Sequence, residues 1–359
     1  MAAAASHDTA AGPAHVAVVS FLAARAAPTG GFWIALAGGV ALARTAERRG
    51  ARLGFGASAA AMLETVAIIG PARFGIPLTQ AATAPMLGRL EARGVAVLPQ
   101  ILACAAIRML HNAATTAFFI WVIAGGLDAY AGTYDAIGRR IGIEVGTADA
   151  LALTAAGLLA WAAFASTVQV LVYRRGLHGW DRLATSAGDE SDVDRAIGGQ
   201  HNARDGSAAG PASQRRRFDP RAITLAAAVG FALLLSGTSW PLLAAVGLAL
   251  AIAWVAAPTD REPVPTGLAF AAILAGGALA FALGGGLGLD EAARRATRAA
   301  LLVMVATWMR AAAGAEGLRE VSRRALGKLR RIPAANEAAL VLDGIESEDR
   351  LVAADRALA

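Results

Sequence analysis

The sequence RFDPRAITLAAAVGFALLLSGTSWPLLAAVGLALAIAWVAAP, residues 217–258, decides the fold. Ala222–Trp240 and Leu242–Ala257 are apolar runs of roughly the length that crosses a bilayer core of about 30 Å. The turn between them, Ser239-Trp240-Pro241, is too tight for anything but a helical hairpin. Downstream, Thr266–Gly284 is a third span. A helix from Asp290 to about Gly314 starts charged (Arg294, Arg295, Arg298) and turns apolar over Ala299–Met309. Four crossings that start inside at Arg217 return the tail to the same side. That tail, Arg319 to Arg331, is strongly basic, as a cytoplasmic end should be.

Composition extends this reading to the whole chain. Of 359 residues, 56% are hydrophobic and 17% charged, against about 25% charged in ordinary globular chains. The apolar residues come in long runs, not amphipathic stripes. A soluble enzyme cannot bury most of its length this way. The fold class is therefore all-α: a polytopic membrane helical bundle of about eight spans in two halves. The net charge of +6 comes mostly from Arg at span ends, where it sets orientation, and calls for no nucleic-acid partner. Cys104 is the single cysteine, which excludes a disulfide framework and a thiolate metal site.

Residues 1–175 form the first membrane half, with about four spans. His15–Ala27 is an interfacial helix or part of a first span. Phe32–Thr45 is the next span, closed by Arg44, Glu47, Arg48, Arg49 and Arg52, and Leu53–Gly70 follows. Pro77, Pro85, Arg89, Glu91 and Arg93 make 76–94 a short amphipathic or re-entrant helix. The run Val95–Leu127 carries Arg108, His111 and Asn112 in its middle. It is either two short spans or one long tilted helix. Asp128 to Gly146 is expected to be a polar loop, and Asp149–Tyr173 is a span ending on Arg174-Arg175. Residues 176–217 are polar and low in apolar periodicity, the composition of a disordered cytoplasmic linker. Residues 218–315 form the second membrane half, and 316–359 a cytoplasmic basic helix with an acidic end.

Glu64 lies near the middle of its span, where an ionisable group must pair, protonate or face a wet cavity. A carboxylate that ties helices together is one reading; a substrate or proton site is another; an interfacial position in a shifted span is a third. If Arg108 points inward, it is the natural partner of Glu64. His111 is read as a structural histidine. The tail residues Leu318, Val321, Ala325, Leu329 and Ile332 recur every three or four positions, so the tail is an amphipathic helix. Its cations Arg319, Arg323, Arg324, Lys328, Arg330 and Arg331 are expected to face anionic lipid or a partner protein.

Other chemistry is sparse. Gly284-Gly285-Gly286-Leu287-Gly288 lacks the Lys-Ser/Thr and preceding strand of a phosphate loop. Asp128 and Asp135 are too isolated for a metal–diphosphate site. His7, His15, His111, His178 and His201 show no metal-ligand spacing. No cofactor, metal site or catalytic set is read from the sequence. An enzyme would have to draw on Glu64, Arg108, His111 and Asp128.

The second half resembles the transmembrane (T) subunit of energy-coupling-factor transporters, the family of cobalt and vitamin uptake permeases. The likeness runs from about Arg217 to Ile345. It rests on Phe218-Asp219-Pro220-Arg221 before the first hairpin, the Ser-Trp-Pro turn, a third span, a helix bearing Arg298 and Arg310, and a Leu…Leu-Arg-Arg amphipathic stretch. Asp219 and Pro220 suit a helix start, as N-cap and first-turn proline. The resemblance implies a transport component of the bacterial inner membrane with a cytoplasmic C-terminus. Its implied partners are an ABC-type ATPase or a substrate-binding membrane subunit. Members of that family continue into long coupling helices with Ala-Arg-Gly-like signatures. Here only Asn336–Ile345 and an acidic end follow Pro333. The alternative is an envelope membrane protein without transport activity, either an accessory protein or a small-molecule enzyme.

Overall fold

The computed structural model describes residues 2–26, 30–71, 76–197, 218–257, 260–329 and 331–344, and these are helical with no strand among them. In order the helices are α1 (Ala2–Ala26), α2 (Gly31–Arg49), α3 (Ala51–Ile69), α4 (Ile76–Ala92), α5 (Val97–Phe118), α6 (Leu127–Arg140) and α7 (Thr147–Ile197). Then come α8 (Pro220–Ser236), α9 (Trp240–Ala256), α10 (Pro263–Gly284) and α11 (Leu289–Lys328), with α12 over 333–344. Five of them are long and apolar enough to cross a membrane: α3, α5 with its continuation, α7, α10 and α11. The apolar α8 and α9 are shorter, at 17 residues each. The protein is a multi-pass helical membrane protein.

Local chemistry sets the helix ends. Asp219 caps α8: its side chain accepts a hydrogen bond from the Arg221 backbone N–H at 2.9 Å, and Pro220 takes the first turn. The Ser-Trp-Pro turn is anchored as well as tight, because Trp240 Nε1 donates to Asp290 Oδ1 at 2.8 Å. That bond fixes the α8–α9 hairpin to the start of α11. Gly314, at φ 69°, kinks α11; a left-handed residue is what glycine adopts without steric penalty.

Among the described residues two large apolar cores form, beside two small clusters. The first gathers α1–α4 with the early part of α5, the Val168–Leu177 stretch of α7 and Leu342 of α12, around Phe21, Leu36, Leu42, Leu87 and Tyr173. The second gathers α8–α11 around Leu234, Leu243, Leu302, Val305 and Trp308. Ala67 of α3 and Val122 and Ile123 beyond α5 also belong to this second core. The two halves therefore share buried surface and form one body. The outer faces stay apolar and exposed, as in Leu110, Phe164, Val255 and Ile273.

Several expectations change. Within 95–127 the helix is continuous from Val97 to Ala124: α5 runs on through a π-helical segment, Phe119–Ala124, so Arg108, His111 and Asn112 mark no turn. The expected 128–146 loop contains α6, whose Asp135–Arg139 pair at 3.0 Å spans one helical turn. The expected linker starts too early, since α7 continues to Ile197; the rest of it lies outside the described residues. Phe32–Thr45 falls in α2, which is not among the helices long and apolar enough to cross. Residues 76–94 do form a short helix, α4, with Pro85 inside it.

Candidate functional site

The α11 helix organises the interior through four arginines. Arg295 donates to the carbonyls of Ala124 and Gly125, the latter at 3.2 Å, and to Glu291 at 2.9 Å. Arg298 donates to Leu234 O at 2.5 Å, Leu235 O at 3.1 Å and Val122 O at 3.4 Å. Arg310 donates to Ile68 O at 2.8 Å and pairs with Asp260 at 3.1 Å. These carbonyls close the π-helical segment, α8 and α3. The last turn of a helix leaves its carbonyls unsatisfied and carries partial negative charge, and a bilayer offers no water to satisfy them. Arginines on one helix thus finish three others. Gly125 makes this possible. At φ 91° it needs no side chain, and a Cβ there would overlap the Arg295 guanidinium.

The fourth arginine overturns two expectations. Glu64 is 1% exposed and pairs with Arg319, whose Nε lies 3.0 and 2.7 Å from the two carboxylate oxygens, while Nη2 also donates to Oε1. Its partner is not Arg108. Arg319 in turn does not face lipid or a partner protein. After the Gly314 kink the tail folds back along α3, and Leu326 packs with Ala335 and Ala338 against Ala59 and Leu63. The carboxylate that ties helices together is the reading of Glu64 that the contacts favour. Arg323 pairs with Asp343 of α12 at 3.4 Å, and Arg324 with Glu320 one turn away. The apolar stripe divides: Leu318 is buried, whereas Leu329 and Ile332 are about half exposed. They lie beside exposed Arg324, Lys328 and Arg331. Arg330 lies outside the described residues. Phe218 is exposed, and Arg221 contributes its backbone N–H to the cap.

Arg108 instead enters a buried cluster that the sequence did not announce. It donates to Gln169 Oε1 at 2.7 Å, approaches Thr79 Oγ1 at 3.5 Å and stacks 5.8 Å from the Phe32 ring centre. Gln169 donates onward to Thr83 Oγ1 at 2.6 Å and accepts from the Cys104 thiol at 3.2 Å. Tyr173 donates to Gln80 Oε1 at 3.0 Å. The pairs Gln80/Thr83 and Ser166/Gln169 sit three apart and Cys104/Arg108 four apart, so each shares a helix face. That spacing was the available signal. His111, half-buried, lies one turn beyond Arg108 on α5.

A cavity of about 450 Å³ opens farther along the α5–α7 seam. Phe119, Tyr130, Tyr134 and Phe281 line it with Thr115 and Thr154. The Tyr130 and Phe281 rings stack at 5.9 Å, and Phe119 meets Phe281 edge-on at 5.1 Å. The Tyr130 hydroxyl is 2.5 Å from Thr154 Oγ1. Burial raises the Tyr130 phenol above its ordinary range, and the cavity lining contains no Asp, Glu, Lys, Arg or His. Such a volume and lining are typical of small-molecule sites.

Among the described residues no group of three or more His, Cys, Asp or Glu side chains could hold a metal ion. Among the described residues, Glu64, Arg108, His111 and Asp128 are joined to one another by no hydrogen bond or ion pair; Glu64 bonds to Arg319 and Arg108 to Gln169. The arrangement defines a multi-pass membrane protein with an arginine-pinned central helix. No protein-family model, curated protein or solved structure gives a significant match to the chain.

Proposed function

We propose that the protein is a transport component of the bacterial inner membrane, resembling the T subunit of energy-coupling-factor transporters, with α8–α11 as its scaffold. The observation that carries this reading is the form of α11. One helix runs from the Trp240–Asp290 contact through the Gly314 kink to a surface tip. Its base is locked to α3 by Arg319–Glu64, and its tip keeps Arg324, Lys328, Leu329, Arg331 and Ile332 exposed. A displacement of the tip by a peripheral protein, such as an ATPase, would reach both membrane halves through packed contacts. In this reading the arginines at the helix ends set the orientation. The basic ends of α2, α4 and the tail then face the cytoplasm, consistent with the ties Arg52–Glu337 at 2.7 Å and Arg174–Glu91 at 3.2 Å.

The test is affinity purification in mild detergent with mass spectrometry, comparing wild type with the triple variant Arg324→Glu, Lys328→Glu and Arg331→Glu. Arg319 is left intact because it is structural. Recovery of an ABC-type ATPase or a substrate-binding membrane subunit with the wild type, lost in the variant, supports the proposal. Solitary protein in both samples sinks it and favours an accessory membrane protein.

A further inference from the structure

Arg108 is 4% exposed, and among the described residues its hydrogen-bonding partners, Gln169 and Thr79, are neutral. The carboxylate expected opposite it belongs to Arg319. An unpaired charge held out of water is strongly unfavourable, so the cation calls for a counter-charge that the described residues do not supply. The surroundings offer donors for one. Arg108 Nε, Gln80 Nε2 and Ser166 Oγ are buried without a hydrogen-bond partner, in side chains that are each under 5% exposed. A half-buried neighbour on the same seam, Asn112, has its Nδ2 in the same condition.

These residues lie in line. Cys104, Arg108, Asn112 and Thr115 recur on one face of α5, and Thr154, Ala162, Ser166 and Gln169 on the facing side of α7. The aromatic cavity begins at Thr115, about two turns or roughly 10 Å along the helix from Arg108. Ala162 and Ala165 keep the stretch between them narrow in side-chain bulk.

We infer that the α5–α7 seam is a binding site for a monovalent anion, with Arg108 as its cation and Gln80 and Ser166 as donors, reached from the aromatic cavity. Two sources carry that chemistry: a free halide, or the carboxylate of an organic amphiphile whose apolar body occupies the cavity. The inference is independent of the transport proposal, because it is measured on the solitary protein.

The experiment is thermal unfolding of the full chain in lipid nanodiscs, at constant ionic strength in sulfate, titrated separately with chloride and with phenylbutyrate. At least one anion should raise the midpoint saturably in wild type and in Arg108→Lys, and the shift should vanish in Arg108→Gln. A response to chloride alone identifies the halide. A phenylbutyrate response that Gly157→Leu removes identifies the organic anion; Gly157 lines the cavity, and a Cβ there meets nothing within 4 Å. Wild type unmoved by both anions, or equal shifts in Arg108→Gln, would overturn the inference. If Arg108→Gln does not fold, equilibrium dialysis of wild type with each labelled anion decides: saturable uptake supports the site, and uptake merely proportional to concentration refutes it.

Discussion

Replacing Arg319 with alanine tests the lock between the tail and the first membrane half. Glu64 is 1% exposed and the Arg319 side chain 14%, so this is not a surface pair worth about 0–1 kcal/mol. Removing one partner of a buried pair strands the other charge and costs about 3–5 kcal/mol. The geometry supports that higher range, since Arg319 Nε reaches both carboxylate oxygens within 3.0 Å and Nη2 adds a further bond. The folded-to-unfolded ratio should fall roughly a hundred- to several-thousand-fold. Equilibrium unfolding in mixed detergent micelles, followed by tryptophan fluorescence, measures this. The double variant Glu64→Leu/Arg319→Met removes both charges and keeps bulk, so it should come back to within about 1 kcal/mol of wild type. An Arg319→Ala protein as stable as wild type, or a double variant worse than the single, would refute the reasoning.

Three further outcomes follow from the same contacts. Arg298→Ala leaves the carbonyls of Leu234, Leu235 and Val122 without their donor and should cost about 2–4 kcal/mol, at about 1–3 per stranded buried group with partial relaxation; the same unfolding assay reads it. Gly125→Ala adds a left-handed alanine, about 1–2 kcal/mol, and pushes Arg295 from its carbonyls, so it should destabilise more than Gly157→Ala in parallel melts. Asp219→Ala removes the α8 cap and should lower stability by about 1 kcal/mol, whereas Asp219→Asn should retain most of it.

The sequence disclosed what depends on neighbours in the chain. Apolar runs announced the spans, and Asp219-Pro220 announced a helix start with its cap. Its misses have a common cause in partners that lie far apart. Glu64 and Arg319 are separated by 255 positions, and nothing local says which of many arginines returns to a given carboxylate. The distant acceptors of Arg295, Arg298 and the Arg310 Nε are backbone carbonyls, which every residue carries and no composition reveals. Helix α6 was hidden because its charged face resembles a loop until Asp135 and Arg139 are seen to pair along it. The Gln169 cluster left only its helical spacings in the sequence, because the partners Thr83, Cys104 and Arg108 come from two other helices.

The account turns on the tail folding back over α3 with its tip left free. With Cys104 changed to serine, cysteines are placed at Ala59 and Leu326, which share a buried cluster, and oxidised in native membranes. The account predicts an efficient intramolecular disulfide between them, with a cysteine at Leu329 instead labelled freely by a membrane-impermeant maleimide from the cytoplasmic face. No cross-link, together with equal labelling at 326 and 329, would contradict it.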